Sequence, residues 1–305
     1  IGDGFIIRYN EDGTIDQSFS NNGIHRPNID FQGNDILVDA KILTDGKILV
    51  LGYTLNNSGE SRSFFIRYLS NGNLDPTFHD EGFILNAPTP FFTLEKMFMQ
   101  SDGKVLAFGT SSLLNILVRR FNADGTPDEN FSNILIQDDI SFENVILLPD
   151  DKILLAGTIY KSETLERKSW DVIVKKYNAD GTSDNSFGNA GQSLVDVTTT
   201  FDDRPFSLGV QADGQILVAA NTNVQPNRTQ IKGGMFSLLR FSSNGTLNGK
   251  FFVTQSHAFA RGLINILPDG KVLSVFQTLQ PSDNGDLVLT RTIGVPLETY
   301  SFKGV

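Results

Sequence analysis

The stretch from Tyr177 to Gly188, YNADGTSDNSFG, sets oxygen-bearing side chains at alternate positions: Asn178, Asp180, Thr182 and Asp184. Calcium is held by several converging oxygens, and this spacing matches the start of a calcium loop. A second chemistry is open to a chain with 35 acidic residues. Two carboxylates whose environments push their pKa values apart can act as a hydrolytic acid and base. Other catalytic signatures are missing. His25, His79 and His257 lie in different stretches with no clustered partner, and the chain has no cysteine. It has no Gly-x-Ser-x-Gly elbow, no metal-ligand His pair and no phosphate-cradling glycine loop.

Near-copies of the stretch argue against a metal. They read YNEDGTIDQSF from Tyr9, YLSNGNLDPTF from Tyr68, FNADGTPDENF from Phe121 and FSSNGTLNGKF from Phe241. Across them Asn178 is replaced by Leu69, Asp180 by Asn71 and Asn244, and Asp184 by Asn248. The distal glutamate of a strong calcium loop is absent. We therefore expect no metal, no cofactor and no catalytic residue, hence not an enzyme.

A hairpin explains the pattern better. Asp-Gly or Asn-Gly falls at the tip, where glycine accepts positive φ. A three-residue loop Ala179-Asp180-Gly181 sets Lys176 opposite Asp184. The same offset sets Arg8 opposite Asp16, Arg67 opposite Asp75, Arg120 opposite Asp128 and Arg240 opposite Asn248. Each such cross-strand pair is expected to contribute roughly 0.2–1 kcal/mol. The Phe that follows (Phe19, Phe78, Phe131, Phe187, Phe251) is expected to pack between sheets.

A second phrase alternates with the first: LTDGKILVLG from Leu43, QSDGKVLAFG from Gln100, LPDDKILLAG from Leu148, QADGQILVAA from Gln211 and LPDGKVLSVF from Leu267. The turn glycines Gly13, Gly72, Gly125, Gly181 and Gly245 recur at intervals of 59, 53, 56 and 64 residues. Repeats of this length build propellers and related arrays. Each repeat reads as four short apolar strands without a helical stripe. Stacking four-stranded sheets around an axis buries both apolar faces of each one. The expected fold is all-β, a β-propeller of six four-stranded antiparallel blades with the first blade incomplete. A seven-bladed ring is the alternative.

The pair DGKILV and RYNxDGTxDxSFG resembles the delta-60 repeat family, a bacterial β-propeller repeat, over nearly the whole chain. Asp151 in place of the hairpin glycine and Asn248 in place of the late aspartate depart from it. The resemblance implies a secreted or surface-exposed bacterial protein and implies no enzyme activity. The expected organisation is one propeller over residues 1–305. It has a half blade at 1–26 and repeats at approximately 27–86, 87–136, 137–196, 197–253 and 254–305. The inner strands of the first blade are either supplied upstream or missing.

Composition narrows the partners. A net charge of −10 argues against a nucleic-acid binder. No apolar run is long enough for a membrane-spanning helix. The chain opens on Ile1, from which a processed or trimmed product is expected. With zero cysteine and the family resemblance, this points to an extracytoplasmic location: periplasm, outer-membrane surface or secreted.

The two turn phrases are nearly constant, whereas the connections from second to third strand and from sheet to sheet vary. Recognition belongs on variable loops held by a rigid scaffold. The candidate contact residues there are Phe91, Phe92, Tyr160, Trp170 and Phe201, with Arg62, Arg167, Lys168, Arg228 and Lys232 as polar partners. The expected role is a non-catalytic binding module for a protein or a glycan. The alternatives are a rigid subunit docked on an outer-membrane transport or secretion complex, and a carbohydrate-active propeller hydrolase.

Overall fold

The computed structural model describes residues 4–27, 29, 34–55, 61–79, 81–86, 92–111, 116–136, 140–162, 168–198, 201–224, 235–252, 258–279, 287–292 and 298–301. These residues are all-β and include no helix. They fall into two compact units, Ile1–Gln137 and Asp138–Val305.

The first unit opens with a two-stranded sheet, β1 (Ile6–Ile7) and β2 (Ile24–His25). Two four-stranded sheets follow. One contains β3 (Asn34–Ile42), β4 (Ile48–Leu55), β5 (Ser61–Tyr68) and β6 (Phe83–Leu85). The other contains β7 (Phe92–Met99), β8 (Val105–Ser111), β9 (Ile116–Phe121) and β10 (Ile134–Ile136). The second unit holds three more: β11 (Ile140–Leu147) to β14 (Gln192–Val195), β15 (Asp202–Val210) to β18 (Leu247–Phe252), and β19 (Ala258–Ile266) to β22 (Glu298–Ser301). Between their ends lie β12 (Ile153–Ser162), β13 (Lys168–Tyr177), β16 (Ile216–Val224), β17 (Met235–Phe241), β20 (Val272–Leu279) and β21 (Leu287–Thr292). Every four-stranded sheet is an antiparallel meander in chain order. This is a β-propeller of five complete blades and one two-stranded blade among the described residues.

Why the strands are apolar on both faces is visible in the packing. Leu49, Leu51 and Phe65 face a core shared with Phe78, Met97 and Phe121. Val50, Phe64, Ile66 and Tyr68 face the other way, toward Ile6. In the second unit, Leu154, Val172, Val174 and Phe187 meet Val218 and Phe241 in the same manner. Each fully buried aromatic or aliphatic side chain is worth about 1.5–3 kcal/mol, so both faces of a sheet are stabilised by its neighbours.

The first strand of every complete sheet carries a break in register against the second. The breaks fall at Leu37/Asp39, Leu94/Lys96, Phe142/Asn144, Pro205/Ser207 and Phe259/Gly262. A bulge bends and twists its strand. Here it also aims polar groups at the next sheet. Asp39 Oδ2 accepts the Met97 amide at 2.9 Å, and Ser207 Oγ accepts that of Ile264 at 3.0 Å.

One repeat departs from the others. After Asp16, Asp75, Asp128 and Asp184 the chain turns, because the aspartate Oδ1 captures the amide two residues on at 2.9–3.1 Å. The fifth copy has Asn248 there and no such bond is described. The chain instead runs straight on as β18, paired with β17 from Leu247.

Candidate functional site

The repeated dodecamer is built around one carboxylate. Arg8 Nε donates to Asp16 Oδ2 at 2.8 Å, Arg67 Nε to Asp75 Oδ2 at 2.7 Å and Arg120 Nε to Asp128 Oδ2 at 2.8 Å. Lys176 Nζ is 3.7 Å from Asp184, and Arg240 Nε donates to Asn248 Oδ1 at 3.1 Å. The cation also lies over the following ring: 4.6 Å for Arg67 and Phe78, 4.9 Å for Arg120 and Phe131. A further contact has no signal within the dodecamer. Lys47, Lys104 and Lys152, the lysines of the second phrase, place Nζ 2.9 Å from the same Oδ2 of Asp75, Asp128 and Asp184.

These contacts set the protonation of the carboxylates. Burial raises the Asp75 pKa, but the Thr77 hydroxyl, Lys47, the Thr77 amide and Arg67 outweigh it and hold the group far below the usual range. Lys104 foremost, with Asn130 and Arg120, brings Asp128 down to about 2 against the opposing effect of burial. Asp184 also falls to about 2, burial being overcome by Ser186 and Lys152. At the tips, Asp12, Asp124 and Asp180 each bind the amide and the hydroxyl of the threonine two residues on. The oxygens that suggested a calcium loop are thus engaged in closing the hairpin.

The variable connections hold a different assembly. Tyr160 and Trp170 are direct cross-strand partners on β12 and β13, with ring centroids 5.2 Å apart and planes tilted by 56°. Both are half-buried. The Trp170 amide donates to Asp202 Oδ1 at 3.2 Å, and Arg204 holds the other oxygen of Asp202 at 2.9 Å. Phe201 precedes that aspartate, and its amide donates to Thr198 O at 3.2 Å. Asp203 is fully buried and fixes the connection: its carboxylate accepts the amides of Val197 and Thr198 at 2.7 and 3.0 Å and the Thr198 hydroxyl at 2.8 Å. A buried carboxylate satisfied in this way ties a loop to the scaffold. Asp35 does the same with the Ile29 amide at 2.7 Å in the first unit.

Asp203 also approaches Asp171 and Asp196, and one oxygen from each of the three lies within 4.8 Å of the others. This trio could present oxygens to a cation, which single-sequence reading missed because its members sit on different strands and connections. Asp203 already accepts three hydrogen bonds, so its burial is accounted for by the loop it holds.

Of the remaining sequence candidates, the described residues include three. Arg62 lies in the first unit, where Nε donates to Asn86 O at 3.2 Å. Phe92 and Lys168 are seen as strand positions in β7 and β13. Phe91, Arg167, Arg228 and Lys232 lie outside the described residues. At the constant-turn end, a cleft of about 330 Å³ is lined by Leu43, Asp45, Arg67, Met99, Val105 and Ala123. Another of about 240 Å³ is lined by Leu148, Asp150, Lys176, Val210, Ile216 and Ser243. The linings are repeat equivalents, so the clefts follow from the packing of repeats and single out no position.

Comparison with known proteins agrees with this architecture. Residues 1–19, 43–78, 100–131 and 148–187 match the family model described as a domain of unknown function (DUF5122) beta-propeller. No curated protein sequence matches the chain. Among solved structures, an ulvan lyase bound to -[GlcA(1-4)Rha3S]- is similar, at 13% identity over 87% of this chain and 68% of that one, with a TM-score of 0.53. A glucose dehydrogenase is 10% identical over 94% and 89% of the two chains, with a TM-score of 0.46. The β-propeller domain of the Trilobed protease from Pyrococcus furiosus is 12% identical over 93% and 74%, with a TM-score of 0.47.

The lyase corrects the expectation that the chain is not an enzyme. It shows that a fold of this construction hosts catalysis. The physical reason is that a propeller draws side chains from separate blades, so a catalytic set leaves no local sequence motif. The chain is a β-propeller of sheet repeats, and four stretches of it carry the pattern of this β-propeller repeat family.

Proposed function

We propose that the protein is an extracytoplasmic carbohydrate-recognising propeller of the delta-60 repeat type, and that Tyr160 and Trp170 are its contact platform. The observation that carries this reading is the half-buried ring pair beside the connection that Asp203 pins. Aromatic rings present a flat apolar face with a polar edge, and that combination suits a sugar, whose ring faces are apolar and whose rim is hydroxylated. Arg204, whose half-exposed guanidinium is held by Asp202 beside the Trp170 amide, supplies a donor at the rim. With a net charge of −10, long-range repulsion disfavours polyanionic chains, so neutral polysaccharide is the favoured class.

Trp170 is the single tryptophan of the chain, which makes it an intrinsic reporter. Its emission should shift saturably on titration with a neutral soluble β-glucan or galactan. The shift should be weaker with a sulfated polysaccharide and at least about tenfold weaker in Tyr160→Ala, a loss on the scale of one interface anchor. No saturable change with any neutral polysaccharide, or a change that Tyr160→Ala leaves intact, would count against the proposal. Co-purification of a protein that masks Trp170 would favour the protein-binding reading instead.

A further inference from the structure

In the sheet of β3 to β6, polar side chains occupy positions that the other sheets fill with apolar ones. Ser63 lies opposite the sixth residue of the second strand, where Ile116, Val172, Phe236 and Leu287 lie in their own sheets. Asn86, whose amide donates to Ser63 O at 2.8 Å, continues the register of β6 and stands opposite Ser63. Ile136 stands in the same way opposite Ile116, and Val195 opposite Val172. Ser61, two residues before Ser63, shares its face of the sheet. That face also carries Leu51 and Phe65, which pack against Leu94 and Met97 of the next sheet. Ser61, Ser63 and Asn86 are 5%, 3% and 5% exposed. Among the described residues, these three bring to this face the buried atoms Ser61 Oγ, Ser63 Oγ and Asn86 Nδ2, which take no hydrogen bond. A buried polar group without a partner is disfavoured, and native structures pair nearly all of them with protein or with ordered water.

We propose that Ser61, Ser63 and Asn86 form a binding site for neutral hydroxyl oxygens, supplied by water or by a sugar. The chemistry follows from the side chains. Asn86 Nδ2 can only donate and so requires an acceptor, whereas each serine hydroxyl can donate or accept. A hydroxyl oxygen meets both demands. Arg62, between the two serines, belongs to the other face of the strand and gives its Nε to Asn86 O at 3.2 Å, so the trio itself carries no charge to hold an ion. Directly opposed strand residues have Cβ atoms about 4.5–5.5 Å apart. One oxygen between Ser63 and Asn86 spans that gap with two hydrogen bonds of about 2.8–3.0 Å. Ser61 is placed to take a second oxygen one row further along the strand. That row ends at solvent: Leu55, the direct partner of Ser61, is 38% exposed. Leu55 and Ser61 are the counterparts of Tyr160 and Trp170, the opposed pair at the same place in their sheet. The site does not depend on sugar binding at Tyr160 and Trp170.

The test is a double-mutant cycle on the whole chain with Ser63→Val and Asn86→Leu, apolar residues of the kind the other sheets use. Each single variant should lower Tm by at least about 2 °C, because it removes one side of a bridge and strands the other. The double variant should fall no further than the worse single, as expected of groups coupled through one oxygen. Ser63→Thr, which keeps the hydroxyl, should retain the Tm. Single variants that leave Tm level or raise it, or losses that simply add, overturn the proposal. NMR separates the two sources. Resident water transfers magnetisation to the Asn86 side-chain amide, and Ser63→Val abolishes the transfer. A sugar gives saturable shifts of the Ser63 and Asn86 backbone amides on titration with methyl glucoside, absent from the double variant. Absence of both signals in the parent chain overturns the proposal, whatever Trp170 reports on polysaccharide.

Discussion

Lys47 Nζ lies 2.9 Å from Asp75 Oδ2, the same oxygen that Arg67 Nε reaches at 2.7 Å. One lysine from the turn phrase and one aspartate from the dodecamer are thereby a single structural unit. The same unit recurs as Lys104 with Asp128 and Lys152 with Asp184. The contact explains why the two phrases travel together along the chain: neither completes the charge arrangement without the other.

Asp75→Asn should destabilise the first unit by about 3 kcal/mol, because it strands two partly buried cations. Lys47→Met should cost only about 1 kcal/mol, since the lysine head is partly exposed and its loss leaves Asp75 with Arg67. Asp16→Asn should cost less than Asp75→Asn, its carboxylate being the more exposed. Urea unfolding of the three variants gives the order directly, and a Lys47→Met effect as large as that of Asp75→Asn would contradict it.

Acid should weaken the fold through Asp75, Asp128 and Asp184. Their folded pKa values are depressed below the ordinary carboxylate value, so the unfolded chain binds more protons as pH drops. The contribution is complete above about pH 4 and is lost as pH falls toward about 2. Urea midpoints measured from pH 6 to pH 2.5 should stay level and then drop. Asp128→Asn should flatten part of that drop.

Gly72→Ala should be far more costly than Gly13→Ala, although both glycines have φ near +84°. At Gly13 a new Cβ meets nothing within 4 Å, leaving the left-handed backbone penalty of about 1–2 kcal/mol. At Gly72 it would lie 2.8 Å from the Phe19 ring and from the Ser20 amide nitrogen, which donates to Asn71 O. The added overpacking is worth roughly 1–3 kcal/mol. Equal thermal stabilities for the two variants would show that this corner does not seat on the preceding sheet.

Asp151→Gly should stabilise the second unit by about 0.5–1 kcal/mol. Asp151 has φ +61°, whereas the equivalent Gly46, Gly103, Gly214 and Gly270 lie between +79° and +82°. Chemical denaturation would register the gain as a higher midpoint with unchanged slope.

The sequence by itself determined the repeat, the four strands of each sheet and the cross-strand partners of the dodecamer, such as Arg67 with Asp75. These depend on local spacing, turn chemistry and the two-residue period of a strand, all of which can be read along one dimension. Tertiary structure alone decided that Lys47 joins Asp75, that Asp171, Asp196 and Asp203 converge, and that Tyr160 and Trp170 meet beside Asp202. Those contacts depend on register across strands and on how one sheet stacks on the next. Side chains brought together by stacking share no fixed interval in the chain, so no motif announces them.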